Sequence, residues 1–505
     1  MKRYLIIAIL LVAVPCLGFD YLDTDCNDDG VDPTAVTWCV SSTETTLSDI
    51  FCGGGANSCA GKTVYLEGGT RTADLDIQAS GTSGNYITIT NYPSDARVVF
   101  NKQDTSPAII FSNSASWIDL RGDGLSGNDW VTKCTDASCY GIVIQQEIAE
   151  SSGAGMIRVE DSDSDNIKIG YIEIDGSNHG AYTGTSGIQV QSTGLTSSVT
   201  LDSYEIHHIY VHDIRYAGLY LGNNDPVDAG NCAGGCPYLA NFLIHDNLFV
   251  DIGAYGIGFK GLGIANTDSK VYNNYILPSN RASGNSTGLV DRVDREVFAA
   301  GLGISYPYGQ EIKIYNNWVE KAYGTGINLH DTDFSSVTVY NNVILGCGTS
   351  DDSAYGGGIL YDGTSGHAVD GINIFNNTIV DPVRYGIITG NTLDGGTEYD
   401  NLIVNPGIGY VLSPDVDFIE GTGDFADTEK ATGAEVGFVT WDGGSDYSAY
   451  NFDLASGHSV GPMGDEVLTT DYDGNARGFQ DGAYGYDGVP TPPWSGVSCQ
   501  GCGPN

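Results

Sequence analysis

The chain has 505 residues and carries 64 Asp and Glu against 21 Lys and Arg, a formal charge of −43. That balance excludes nucleic acid as a partner class, because phosphate binding draws on clustered Lys and Arg. Seventy glycines and 31 tyrosines beside 3 methionines and 17% charged residues exclude an all-helical protein, and 41% hydrophobic residues exclude bulk disorder.

Lys2 and Arg3 precede an apolar run from Leu5 to Val14, followed by the small residues Cys16 and Gly18. This is the pattern of a secretory signal peptide over residues 1–18, too short for the roughly 20 residues of a membrane span. The mature chain is expected to begin near Phe19 and to be secreted, periplasmic or held at the cell surface. Residues 19–60 read as a disulfide-bearing amino-terminal segment. Within it, Leu47, Ile50 and Phe51 fall at helical spacing and predict a capping helix over 43–51. Asp25-Cys26-Asn27-Asp28-Asp29-Gly30 matches the opening of a Ca²⁺ loop, which makes Asp25, Asn27 and Asp29 candidate metal ligands and Ca²⁺ the candidate cofactor. Val36 stands where the closing Glu of such a loop belongs.

Ten cysteines fall into close pairs, Cys26/Cys39, Cys52/Cys59, Cys134/Cys139, Cys232/Cys236 and Cys499/Cys502. An oxidising compartment makes short-loop disulfides the expectation for them. Cys347 is left over and reads as a buried thiol.

Between about residues 200 and 410 one unit recurs: an apolar alternation, two polar residues ending in Asn, more alternation, a Gly and a short strand. It appears as Ile244-His245-Asp246-Asn247, Val271-Tyr272-Asn273-Asn274, Ile314-Tyr315-Asn316-Asn317, Val339-Tyr340-Asn341-Asn342, Ile374-Phe375-Asn376-Asn377 and Glu398-Tyr399-Asp400-Asn401. The last Asn returns after 27, 43, 25, 35 and 24 residues, a solenoid period with two insertions. Leucine-rich, calcium-binding nonapeptide and propeller patterns do not fit, whereas a coil of three short parallel strands does. Coils then stack about 4.8 Å apart, so equivalent asparagines can bond to one another in a ladder. The repeated Asn is therefore read as structural.

Three segments resemble a right-handed parallel β-helix protein of the pectate-lyase-like superfamily. Thr63-Val64-Tyr65-Leu66 with Gly81-Thr82-Ser83-Gly84-Asn85-Tyr86 resembles a first coil, and the Asn repeats resemble the middle. Asp471-Tyr472-Asp473-Gly474-Asn475-Ala476-Arg477 resembles a terminal segment. The resemblance implies an all-β solenoid with terminal caps. It gives a β-helix over 61–415, a carboxy-terminal capping segment over 416–490 and a tail over 491–505. It also implies an active face along one parallel sheet, and polysaccharide as partner.

Strand alternation makes Tyr220, Lys260, Ser305, Asn328 with His330, and Asp362 the outward positions of successive Gly-led strands. Lys260, His330 and Asp362 are the candidate catalytic residues. A basic group beside a carboxylate can take the proton α to a carboxyl group, the chemistry that the resemblance implies for polyuronate lyases. The alternative is a solvated surface row.

The insertion 279–300 carries Arg281, Arg292 and Arg295 beside Asp291, Asp294 and Glu296. It reads either as a clamp for an acidic sugar or as a loop helix laced by ion pairs. Tyr216, Tyr255, Tyr323, Tyr355 and Tyr385 each precede a Gly-led strand and form a candidate sugar-stacking row, or simply a cover for the solenoid. Asn266-Thr267-Asp268 echoes a polygalacturonase triplet, but the partners such an enzyme needs do not follow. The leading expectation is an exported acidic-glycan lyase, with glycoside hydrolysis less favoured as a reaction. The rival is a non-catalytic carbohydrate-binding or adhesin-like protein.

Overall fold

The computed structural model describes residues 38 to 454 with breaks, the longest at 49–56, 123–139, 147–154, 177–185, 191–199, 223–237, 278–299, 421–437 and 441–450. All structural statements concern the described residues. Each coil supplies three short strands, as in Glu205–His207, Tyr210–His212 and Ala217–Gly222. Successive coils stack these into sheets of 13, 11 and 12 strands, with a further sheet of 5 strands along part of the axis. Pairing within these sheets is parallel throughout, coil on coil. The fold is the predicted right-handed parallel β-helix, the hand that parallel crossovers take almost without exception. One antiparallel pair, Phe438–Thr440 with Asn451–Leu454, lies within the segment expected to close the carboxyl end.

The core follows from alternation at period two. Ile206, Ile244, Val271, Ile314, Val339 and Ile374 are all fully buried and stand in one register column of the thirteen-stranded sheet. Each contributes about 1.5–3 kcal/mol by leaving water. A second column, Gly218, Gly256, Gly301, Gly326 and Gly358, explains the Gly-led strands. A Cβ at Gly301 would lie 2.2 Å from Val319 Cγ1 and 2.8 Å from the Gly326 carbonyl, and the other four meet equivalent atoms. Glycine here permits close approach between two sheets and the next coil.

The corner between the thirteen- and eleven-stranded sheets turns in two residues. Its first residue holds a left-handed φ, +54° at Asp246 and Asn273, +53° at Asn316, +56° at Asn341 and +55° at Asn376, a conformation that Asn and Asp tolerate better than most residues. The second is the predicted ladder. Asn247, Asn274, Asn317, Asn342, Asn377 and Asn401 are fully buried, and each Nδ2 donates to the next Oδ1 at 2.9–3.0 Å.

Several expectations require correction or placement. No helix occurs among the described residues of 43–51; Thr46–Leu47 is a strand paired with Asp76 and Ile77. Leu47 is fully buried as the outermost member of a core column, so stacking on the next coil overrides the local helical spacing. The coil therefore begins before residue 61, and Trp38–Val40 already pairs with Val64–Leu66. It also continues past residue 415, where Ile419–Glu420 pairs with Thr397 and Glu398. Cys39 and Cys59 are buried, while their expected partners Cys26 and Cys52, together with Cys134, Cys139, Cys232, Cys236, Cys499 and Cys502, lie outside the described residues, as do residues 1–18. Cys347 is a free, buried thiol, its pKa pushed up to about 12 by burial.

Candidate functional site

The twelve-stranded sheet brings together the residues that the sequence singled out for chemistry. Lys260 pairs with Ser305, Ser305 with His330, and His330 with Asp362. Four residues spread over about a hundred positions thus occupy one register column, spaced about 4.8 Å apart. Tyr220 and Asn328 belong to the neighbouring column with Gly258, Gly303 and Leu360, and the partner of Lys260 on the preceding strand is Gly222. The alternation of a strand requires this, since 220 and 328 stand two residues before 222 and 330.

Chain length varies at both ends of this sheet. Fifteen or more residues follow Gly222 and Leu277 before the next described strand, while the asparagine corner always turns in two. The neighbouring column is covered: Tyr220, Asn328 and Leu360 are each at most 3% exposed. The Tyr255 ring lies over Gly258 and Gly303, where a Cβ would meet ring atoms at 3.2 Å and 2.6 Å. Burial, then the neighbouring Tyr216, pushes the Tyr220 phenol pKa upward. Asn328 Oδ1 is buried and accepts no hydrogen bond.

The four described tyrosines of this set do not make one row. Tyr255 pairs with Ala217 and Ala300, and Tyr385 with Gly357. Tyr216 stands one residue before the position paired with Tyr255, and Tyr323 two residues before the position paired with Ala300. Tyr216 meets Tyr255 edge-on at 6.2 Å. Tyr355, Arg281, Arg292, Arg295, Asp25, Asn27 and Asp29 lie outside the described residues.

An aromatic column does exist, on the thirteen-stranded sheet. His207, His245, Tyr272, Tyr315, Tyr340 and Phe375 stack with centroids 4.8–5.4 Å apart and planes within 11° of parallel. Its sequence signal was the residue before each Asn or Asp pair in the repeat. Because each inner ring spends both faces on its neighbours, this column offers edges, not faces, to a sugar.

Two imidazole clusters flank the same corner. His212 Nδ1 lies 2.9 Å from Asp213 Oδ2 and its Nε2 lies 3.3 Å from Glu173 Oε1, with Asp175 at 3.8 Å. Burial alone would lower its pKa, but those hydrogen bonds and charges hold it up at about 9. On the other side, His245 hydrogen-bonds Glu205 and, against burial and with help from Lys168, holds its pKa down at about 2. Burial and the charge of His208 bring His207 down to about 4. Ca²⁺ takes six to eight oxygen ligands, and these described acidic groups are instead arranged around imidazoles, so they do not fit that ion.

Residues 186–401 match the family model described as right handed beta helix region, in keeping with the parallel β-helix that the sheets build. The pectate lyase Pel9A is similar in structure, with 13% identity and a TM-score of 0.42 over 85% of this chain and 88% of that one. So is an alginate lyase from Paenibacillus sp. str. FPU-7, at 12% and 0.37 over 74% and 99%. The PL6 family polysaccharide lyase Pedsa3628 from Pseudopedobacter saltans gives 12% and 0.32 over 74% and 88%. No curated protein matches the chain in sequence.

Proposed function

We propose that the protein is exported and acts on polysaccharide as a lyase for an acidic glycan. The observation that carries this reading is the shared register of Lys260, Ser305, His330 and Asp362. In such a reaction the C–H bond α to the uronate carboxyl breaks, a C=C bond forms, and the glycosidic C–O bond breaks with its oxygen taking a proton. Neutral Lys260 or His330 is the base. Asp362, next to His330 in the register column, is assigned as the carboxylate partner of that base. Arg281, Arg292 and Arg295 are assigned to the uronate carboxylates, offsetting the repulsion that a strongly acidic protein exerts on a polyanion.

The test is incubation of the mature chain with a panel of polyuronates, with and without Ca²⁺, following the absorbance of unsaturated products. The expected result is product from at least one substrate, with a loss of about 10²–10⁴-fold in Lys260→Ala or His330→Ala. No unsaturated product from any acidic glycan overturns the reading. A non-catalytic glycan-binding role is supported by the tyrosine pair at Tyr216 and Tyr255; retained glycan binding without product would establish it.

A further inference from the structure

On the outer side of the asparagine corner the same two residue types recur: a ring, then an asparagine in the left-handed region. They are Tyr272-Asn273, Tyr315-Asn316, Tyr340-Asn341 and Phe375-Asn376. In the two preceding coils these positions read His207-His208 and His245-Asp246. His207 pairs with His245, and their rings continue the stack at 5.4 Å. His208 and Asp246 adopt φ of +53° and +54°, as the later asparagines do. The fold is therefore served by a neutral pair four times, yet here it carries three imidazoles and a carboxylate in a two-by-two patch. The chain has 8 histidines, and four of them fall between residues 207 and 245.

The donor atoms converge. His245 Nδ1 is 2.7 Å from Asp246 Oδ2, and His207 Nδ1 is 2.9 Å from His208 Nδ1. Ligand atoms of His208, His245 and Asp246 all lie within 4.8 Å of one another. Donors around a tetrahedral ion bound at about 2.0–2.1 Å stand about 3.3 Å apart, so side-chain rotation closes the set while the ladder fixes the backbone. Glu205 Oε1 lies 3.4 Å from His245 Nε2, where a carboxylate orients a ligating histidine through its far nitrogen. Tyr171 stacks on His208 at 4.9 Å and 20°, holding the second ring.

We propose that His208, His245 and Asp246, with His207 beside them, form a site for a late first-row divalent cation of the Zn²⁺ type. Two imidazole nitrogens and one carboxylate oxygen favour such an ion over Ca²⁺. The site lies on a different sheet from the Lys260 column and does not rest on the lyase reading.

The test is calorimetric titration of the untagged chain with Zn²⁺, with Co²⁺ absorption as a report of coordination. The expected result is one ion per chain, not displaced by excess Ca²⁺. The double variant His208→Asn/His245→Tyr writes the residues of the later coils into the earlier ones. It should keep its circular dichroism, the sign of an intact coil, and bind Zn²⁺ more than about tenfold more weakly. Should it fail to fold, Asp246→Asn is read the same way. Absence of Zn²⁺ binding by the wild-type chain overturns the proposal, as does unchanged affinity in the variants. Loss of binding in His212→Asn alone would also overturn it, moving the ion to the Asp175, His212 and Asp213 group.

Discussion

Two columns run side by side along one corner of the helix and obey different rules. The inward column is asparagine in six consecutive coils, from Asn247 to Asn401, and every side chain is fully buried. The outward column holds His207, His245, Tyr272, Tyr315, Tyr340 and Phe375, and all that these share is a flat ring. The inward position needs a short side chain that both donates and accepts, because each amide must satisfy the coil above, the coil below and nearby backbone carbonyls. The outward position needs only stacking, so its chemistry is free to change without cost to the fold. Function can be written on the second column and not on the first.

That contrast is broken most directly at Asn317. Its Nδ2 donates to Asn342 Oδ1, Val271 O and Tyr315 O, and its Oδ1 accepts from the amide and side chain of Asn274. Asn317→Ala orphans several buried groups at about 1–3 kcal/mol each, for a loss of about 3–5 kcal/mol in urea unfolding. A loss under about 1 kcal/mol would mean that the ladder is ornamental.

His212 tests how far an outward position can depend on charge. Its neighbours are Glu173, Asp175 and Asp213, with Arg97 at 3.6 Å from Glu173 and Tyr210 stacked at 4.3 Å. The folded ring keeps its proton to about pH 9, against an ordinary value of 6.5. The stability it contributes is therefore full below pH 6.5 and lost as pH rises through 9, up to about 3 kcal/mol. His212→Asn should flatten that alkaline limb when unfolding midpoints are compared across this window, and a limb that persists would assign it to other groups.

The smallest effect belongs to the ring column. Tyr315 lies 5.1 Å from Tyr272 and 4.8 Å from Tyr340. Tyr315→Leu should cost about 1 kcal/mol and reduce the near-ultraviolet dichroism, while Tyr315→Phe should be nearly neutral. A penalty matching that of Asn317→Ala would erase the distinction between the columns.

The architecture was legible because its signals are local and repeated. Ile314-Tyr315-Asn316-Asn317 states in four residues a core position, a ring, a left-handed bend and a ladder amide, and its recurrence places the coils. The register of Lys260, Ser305, His330 and Asp362 followed from that spacing alone. Helical spacing at Leu47 misled because burial beneath the next coil, a long-range effect, decides that segment. The four described tyrosines fall in different columns because a shift of one or two residues at a bend moves a side chain to another column. The imidazole patch escaped notice because its residues match the repeat in shape and depart from it only in chemistry.

The asparagine ladder also bears on how such a molecule can change in length. Asn317 and Asn342 are 25 residues apart and already bonded to each other; each makes the same kind of bond to its outer neighbour. Excising one complete turn between two such equivalents would leave Asn274 facing Asn342, and the seam would heal with identical partners. The axis can thus be lengthened or trimmed in whole turns, much as beads are added to a string, without redesigning what remains.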